Sequence, residues 1–166
     1  MGGGAPISVQ SMTNTDTRDA VATAAQIGRL QEAGCEVVRI AVPDMEAADA
    51  LGRIRKTTEV PLVADIHFDY KLALASIEAG VDKLRINPGN IGSDARVREL
   101  ATAARDRGIP IRIGVNMGSL PRELVERHGR SARAMTEAAL GHIGLLEREG
   151  FYDIVVSLKA SDVPRT

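Results

Sequence analysis

The stretch AGVDKLRIN, residues 79–87, contains the structural unit that repeats along this chain. It opens with an Ala-Gly pair, which is typical of the end of a helix, and continues into a short strand-like run. In that run Leu84 and Ile86 alternate with Arg85 and Asn87. Because successive side chains of a strand point to opposite faces, this stretch predicts a strand with one apolar face and one polar face.

The same unit recurs in both directions from this stretch. A glycine follows a helix-like segment and precedes a β-branched run at Gly34, Gly80, Gly108 and Gly150. The runs predict six strands, at Ile7–Met12, Val37–Val42, Leu62–Ile66, Lys83–Asn87, Ile111–Asn116 and Asp153–Leu158. The segments between them predict helices at Asp19–Ala33, Met45–Lys56, Lys71–Ala79, Asp94–Arg107 and Ser131–Glu149, with an additional helical turn beginning at Ser119-Leu120-Pro121. This alternation is typical of consecutive βαβ units and a parallel sheet.

Six such units fit either an open doubly wound sheet or part of an eight-stranded barrel. A parallel strand covered by helices on both sides should be apolar on both faces. Here Val38, Ile40 and Val42 share one face of a strand and leave Arg39 and Ala41 on the other. If helices cover the apolar face, the polar face points into a barrel lumen. We therefore predict an α/β fold, an incomplete TIM-type (β/α) barrel of about six of eight βα units, forming a single domain over residues 1–166.

Composition and charge narrow the classes of function. A chain of 166 residues, 44% of them hydrophobic, suits one soluble domain. The formal net charge of -1 gives no reason to expect nucleic acid or an anionic membrane as a partner. Cys35 is the only cysteine, so it forms no internal disulfide and provides no set of thiolates for zinc or iron–sulfur. We expect it to be a buried thiol in a protein of the reducing cytosol.

Cations gather on the predicted lumen face. Arg39, Arg85, Arg112 and Lys159 share that face, where chiefly Asp65 opposes them. Each unpaired cation removed from bulk water would cost on the order of several kcal/mol, so we expect an anionic ligand. Because the planar fork of arginine matches phosphate oxygens, three arginines indicate a diphosphate.

Polar side chains near these cations are further candidates. Asn87, Asn90 and Asn116 are placed to orient a ligand through amide donors, and His67 to donate to a phosphate or shuttle a proton. Simpler roles stay open, with Asp65 as a structural counter-ion for Arg39 or Arg85 and His67 as a loop-closing residue beside Phe68. We expect His128 and His142 to lie on a helix or loop surface.

Five strings, in order along essentially the whole chain, resemble the hydroxymethylbutenyl diphosphate synthase family. They are GGGAPISVQSMTNT at 2–15, VADIHFD at 63–69, LRINPGNIG at 84–92, IGVNMGSL at 113–120 and SLKAS at 157–161.

The resemblance implies a cytoplasmic oxidoreductase of isoprenoid biosynthesis in the methylerythritol phosphate pathway. Its reaction is the reductive conversion of 2-C-methyl-D-erythritol 2,4-cyclodiphosphate to 4-hydroxy-3-methylbut-2-enyl diphosphate, with electrons from flavodoxin or ferredoxin delivered through a 4Fe-4S cluster. By motif position, the resemblance implies diphosphate contacts from Arg39, Arg85, Arg112, Asn116 and Lys159, with Asp65, His67 and Asn87 beside them.

The departures from the family pattern limit what this chain is expected to do alone. The family holds its cluster with three cysteines and a glutamate of a C-terminal domain, whereas this sequence has Cys35 alone. We expect an N-terminal barrel fragment that binds the diphosphate, holds no cluster or metal and does not catalyse by itself. The first and sixth strands should be exposed sheet edges, which favours self-association or a homodimer.

Two other functions stay open on the sequence alone. One is a barrel similar in plan to dihydropteroate synthase, in which Asp65 and Lys159 act on a pterin or another phosphorylated substrate. The other is a non-catalytic interaction module, in which the cations serve a protein partner.

Overall fold

The computed structural model describes residues 4–67, 69–87 and 93–162. Within these ranges strands and helices alternate along the chain. They are β1 (Gln10–Met12), α1 (Ala20–Glu32), β2 (Val37–Ala41), α2 (Met45–Arg55), β3 (Leu62–Asp65), α3 (Tyr70–Glu78), β4 (Lys83–Ile86), α4 (Asp94–Asp106), β5 (Ile111–Asn116), a 3-10 turn (Met117–Ser119), α5 (Arg122–His128), α6 (Ala132–Arg148) and β6 (Ile154–Lys159).

The strands of the described ranges form one parallel sheet in the sequential order β1-β2-β3-β4-β5-β6. A doubly wound sheet reverses its strand order at a switch point, and this sheet does not. Each connection therefore leads to the adjacent strand in the same direction, as in a (β/α) barrel. The six strands curl into a half-barrel with helices between them, which confirms the predicted fold class.

Helix boundaries follow from capping residues and glycines. Asp19, Asp44 and Asp69 each accept a hydrogen bond from a backbone N–H of the first helical turn that follows, and such a cap contributes about 1 kcal/mol. At the other end of α3, Gly80 has a φ of 86°, a conformation that a side chain would disfavour. Every predicted helix-ending glycine has a positive φ, namely Gly34, Gly80, Gly108 and Gly150.

Two boundaries differ clearly from the sequence prediction. The first strand begins at Gln10 rather than Ile7. Gln10 pairs with Val37, where β2 begins, and no other strand of the described ranges pairs with the residues before Val9. The loop after β5 holds more helix than the single predicted turn, since a 3-10 turn precedes the seven-residue α5. The other predicted strands and main helices agree with the structure to within one residue at each end.

The hydrophobic core lies between the sheet and the helices. Its largest fully buried strand residues are those of the predicted apolar face, including Ile40, Leu84, Ile86, Ile111 and Ile113. Leu51 and Ile54 of α2 and Leu100 of α4 join the same cluster. Burial of one such side chain contributes roughly 1.5–3 kcal/mol, so the apolar face of each strand packs against the helices. The opposite face of each strand therefore points to the lumen.

Cys35 is buried as predicted, and its thiol donates to the carbonyl of Val37. His128 lies on α5 and His142 on α6, and both side chains are partly exposed. His142 lies one helical turn from Ala138 and from Leu146, so it borders the buried stripe of α6. In the part of the chain that the structure describes, none of the helices has the apolar length that a bilayer span requires.

Candidate anion-binding site in the barrel lumen

The cationic cluster follows from the register of three neighbouring strands. Asp65 of β3 is paired with Arg85 of β4, and Arg85 is paired with Arg112 of β5. Ala41 of β2 is the partner of Asp65, so Arg39 lies on the same face two residues earlier. Because paired residues of parallel strands point to one side of the sheet, all these polar side chains face the lumen.

Asp65 is the buried acceptor that holds two of the arginines. Its side chain is 1% exposed. Arg39 Nε donates to its Oδ2 at 3.0 Å, Arg39 Nη2 donates to the same oxygen, and Arg85 Nη1 donates to Oδ1 at 3.1 Å. Each carboxylate oxygen therefore receives one guanidinium. The sequence left open whether Asp65 is the counter-ion of Arg39 or of Arg85, and in the structure it pairs with both.

His67 lies at the rim of this cluster. Its Nε2 is 3.7 Å from Asp65 Oδ2, which is too long for a hydrogen bond, and its side chain is 53% exposed. The imidazole also lines a cavity of about 290 Å³ with Val42, Pro43, Asp69 and Leu72. His67 is therefore accessible from the carboxyl ends of β2 and β3.

Arg112 differs from the other two arginines in its partners. Its Nη2 donates to Ser157 Oγ at 2.8 Å and its Nη1 lies 3.5 Å from Gln10 Oε1. Within the described part of the chain both hydrogen-bond partners of Arg112 are neutral side chains, and no carboxylate forms an ion pair with it. Burial lowers the pKa of Arg112, and the nearby charges of Arg39 and Arg85 lower it further. The guanidinium stays protonated, so the ligand-free barrel bears the free-energy cost of burying this charge beside two other cations.

Gly114 makes room for the Arg85 side chain. It lies two residues beyond Arg112 on the lumen face of β5. A Cβ placed on Gly114 would lie 2.6 Å from both Nε and Nη2 of Arg85. The guanidinium of Arg85 therefore lies directly against the β5 backbone while its Nη1 reaches Asp65.

Asn87, Asn116 and Lys159 lie nearer the mouth. Asn116 and Lys159 are exposed partners in the register of β5 and β6. The Oδ1 atom of Asn87 is buried and has no hydrogen-bond partner among the described residues. The structure thus brings Arg39, Asp65 and Arg85 into contact and places His67 and Arg112 beside them. Among the described residues, no hydrogen bond or ion pair joins these arginines to Asn87, Asn116 or Lys159. Asn90 and the rest of 88–92 lie outside the described residues.

Sequence reasoning missed four residues as parts of this site. Gln10 and Ser157 contact Arg112, and Gly114 admits Arg85. Burial lowers the pKa of Lys83, and the charge of Arg112 lowers it further, so this ammonium also lies in the cationic region. The strand alternation that places Arg85 on the lumen face also places Lys83 there, and Lys83 lies at the start of β4, far from the carboxyl ends of the strands.

The described residues do not fit a metal or iron–sulfur group. Among them, no group of three or more His, Cys, Asp or Glu side chains is arranged to hold a metal ion. Cys35 precedes β2, at the end of the barrel opposite Asp65 and His67, and its thiol is used in a backbone contact. The chemistry that this lumen offers is binding of an anion by charge and by forked hydrogen bonds. Fold and site together define a protein of the parallel (β/α) barrel class with a cationic lumen.

Sequence comparison identifies the family within that class. A family model described as the GcpE TIM-barrel domain matches residues 1–166. The chain is 60% identical over 167 residues to the 4-hydroxy-3-methylbut-2-en-1-yl diphosphate synthase (flavodoxin) of Geobacter sulfurreducens, an alignment that covers 100% of this chain and 47% of the relative. It is 61% identical to the synthase of the same name from Thermodesulfovibrio yellowstonii, with 100% and 48% covered. The chain belongs to the GcpE TIM-barrel domain family, and it spans about half the length of the curated relatives it matches.

Solved structures support the fold. The dihydropteroate synthase of Yersinia pestis superimposes with a TM-score of 0.63 at 14% identity, covering 90% of this chain and 56% of that one. The BexX/CysO complex of Amycolatopsis orientalis gives a TM-score of 0.53 at 22% identity, covering 95% of this chain and 59% of that one. Likeness at such low identity shows a shared barrel and nothing about substrate. The alternative of a dihydropteroate-synthase-like activity is therefore not favoured over the family match.

Proposed function

We propose that this chain is the barrel portion of a synthase that reductively converts 2-C-methyl-D-erythritol 2,4-cyclodiphosphate to 4-hydroxy-3-methylbut-2-enyl diphosphate in isoprenoid biosynthesis. In this proposal the lumen binds the diphosphate of the substrate and holds it at the mouth. The family match supplies the reaction class, and the lumen supplies the binding chemistry.

The observation that carries the proposal is the charge imbalance around Asp65. One buried carboxylate receives Arg39 and Arg85, while Arg112 bonds to neutral side chains nearby. Two further ammonium groups, Lys83 and Lys159, share the lumen face. An anion with several oxygens would pair with the guanidinium that lacks a carboxylate and offset the cost of burying it.

The candidate residues have distinct parts in this proposal. Asp65 holds Arg39 and Arg85 in fixed orientations, so that their remaining N–H groups meet the ligand without further ordering. Arg112 supplies the charge that the diphosphate neutralises. Asn116 and Lys159 contact the ligand at the mouth, as His67 does from the neighbouring loop. The Oδ1 atom of Asn87, which has no partner among the described residues, accepts a hydrogen bond from a hydroxyl of the substrate.

The electron-transfer part of the reaction requires groups that this chain does not provide. A 4Fe-4S cluster needs several thiolates, and Cys35 is a single buried thiol engaged with the backbone. We therefore propose that this chain alone binds the cyclodiphosphate without reducing it. Flavodoxin, which the names of the relatives specify, or ferredoxin would deliver electrons to cluster ligands outside these 166 residues. We further propose a cytoplasmic protein that self-associates as a homodimer through the edges of β1 and β6, which are the two outer strands of the described sheet.

Calorimetric titration of this chain with 2-C-methyl-D-erythritol 2,4-cyclodiphosphate tests the proposal. The wild-type chain should bind, and Arg112→Ala should lose about tenfold or more in affinity, since one charge-assisted hydrogen bond contributes roughly 1.5–3 kcal/mol. Arg122→Ala is a matched control, because that arginine is 91% exposed on α5 and pairs with Glu126. A folded wild-type chain that binds no cyclodiphosphate, or equal losses in both variants, would refute the assignment. The interaction-module alternative predicts that neither variant changes small-anion binding.

A further inference from the structure

We propose that Gly114 is a positioning residue of the anion site, acting through the guanidinium of Arg85. The inference deepens the proposed function and rests on it only for the ligand. The relevant geometry is present in the ligand-free barrel, where a Cβ on Gly114 would lie 2.6 Å from Nε and Nη2 of Arg85 and 3.0 Å from its Cζ.

The register explains why this glycine meets Arg85. The strand partner of Arg85 is Arg112, and Gly114 is two residues further along β5. The side chain of Arg85 therefore leans toward the carboxyl ends of the strands, where barrel active sites lie. The guanidinium crosses the backbone of β5 in the space that the side chain of any residue larger than glycine would occupy at position 114.

Asp65 fixes the other side of the same guanidinium. Arg85 Nη1 donates to Asp65 Oδ1 at 3.1 Å, while its Nε and Nη2 atoms lie over Gly114. The planar group is thus held between a buried carboxylate on β3 and bare backbone on β5. A side chain at 114 would push Nε and Nη2 away, and because the guanidinium is rigid, Nη1 would move with them and leave Asp65.

The constraint on residue 114 is contact with Arg85 and not backbone strain. The φ of Gly114 is not positive, so alanine is compatible with its backbone. Within the described residues, the three nearest atoms to its virtual Cβ all belong to Arg85. Truncating Arg85 should therefore make residue 114 tolerant of a methyl group, which gives the proposal a test independent of any ligand.

The experiment combines a double-mutant cycle with a spectroscopic signature. Gly114→Ala, Arg85→Ala and the double variant are compared with the wild type. Gly52→Ala is the control because, apart from its chain neighbours and the backbone of its own helix, no described atom lies within 4 Å of its virtual Cβ. Nitrogen-15 NMR of ligand-free chains follows the Arg85 Nε–H resonance. Calorimetry with inorganic pyrophosphate and with the cyclodiphosphate measures affinity.

We expect Gly114→Ala to shift the Arg85 Nε–H resonance and to weaken binding of either probe by about tenfold or more. In the Arg85→Ala background, adding Gly114→Ala should change neither the affinity nor the melting temperature. If Gly114→Ala fails to fold, recovery of the folded state in the double variant supports the proposal. An unmoved resonance with unchanged affinity, or losses that add in the double variant, would overturn it. A wild type that binds neither probe would refute the diphosphate function, while the resonance would still decide the role of Gly114.

Discussion

Arg112 on β5 reaches Gln10 on β1, with 3.5 Å between Nη1 and Oε1, although the two residues are 102 positions apart in the chain. Four strand-to-strand steps separate them in the sheet. In a flat sheet, with roughly 4.8 Å between neighbouring strands, the backbones of β1 and β5 would be about 19 Å apart. The contact therefore requires the sheet to curl around its polar face, and the lumen is enclosed enough for charges on different strands to interact.

Replacing Asp65 with asparagine should destabilise the chain by about 3–5 kcal/mol, because Arg39 and Arg85 would lose their shared buried carboxylate. Urea unfolding measures the change. Asp16→Asn is the control, since Asp16 pairs with Arg18 at the surface and its loss should have little effect. Added pyrophosphate should restore more stability to Asp65→Asn than to the wild type, because an anion would replace the missing charge. Equal destabilisation by both substitutions would contradict this account of Asp65.

Much of the lumen could be predicted from the sequence because the information is local. The alternation of Leu84 and Ile86 with Arg85 lies within one short segment, and it specifies the two faces of this strand independently of the rest of the sequence. Burial of the apolar pair at 0% exposure confirms that prediction. The glycine ends of the helices were predictable for the same reason, since the signal and the turn it specifies are adjacent.

Relationships between strands could not be predicted in this way. The pairing of Asp65 with both Arg39 and Arg85 depends on the register of three strands, and parity alone left the partner open. The clearance over Gly114 depends on the direction in which the Arg85 side chain leans. Gln10 could not be placed near Arg112 because their contact exists only once the sheet has curled.

Asn87→Ala should have opposite effects on stability and on binding. Within residues 4–67, 69–87 and 93–162, the buried Oδ1 of Asn87 has no hydrogen-bond partner, and an unsatisfied buried acceptor costs roughly 1–3 kcal/mol. Removing it should leave the ligand-free chain as stable as the wild type or slightly more stable, while cyclodiphosphate affinity falls. Urea unfolding and calorimetry on the same samples check both. Asn14→Ala is a useful contrast, because Asn14 Oδ1 accepts from Gln26 and its loss should destabilise. A marked loss of stability in Asn87→Ala would argue that its amide is structurally satisfied.

His142 should make folding stability depend on pH. Burial lowers the pKa of His142 below its ordinary value of 6.5, so the unfolded chain binds a proton at higher pH than the folded chain does. Stability should therefore fall as the pH drops through 6.5 toward the lowered folded pKa, and this contribution should level off below it. Urea unfolding at several values between about pH 5 and pH 8 gives the free energy of unfolding, which should depend less on pH in His142→Gln than in the wild type. Identical slopes, or an NMR titration of His142 with an unshifted midpoint, would count against this assignment.

Lys159→Ala should weaken cyclodiphosphate binding less than Arg112→Ala, and its effect should depend more on salt. Lys159 is exposed at the mouth, whereas Arg112 is half-buried. Added salt shortens the Debye length from about 10 Å at 0.1 M to about 3 Å at 1 M. The stronger screening weakens interactions of the exposed ammonium far more than those of the enclosed guanidinium. Calorimetry at both salt concentrations should show the Lys159→Ala loss shrinking while the Arg112→Ala loss persists. Lys56→Ala is the matched control, because Lys56 is exposed at the end of α2, remote from the mouth. If the two lysine variants lose affinity equally, the ammonium of Lys159 acts through the general field of the protein and does not contact the ligand.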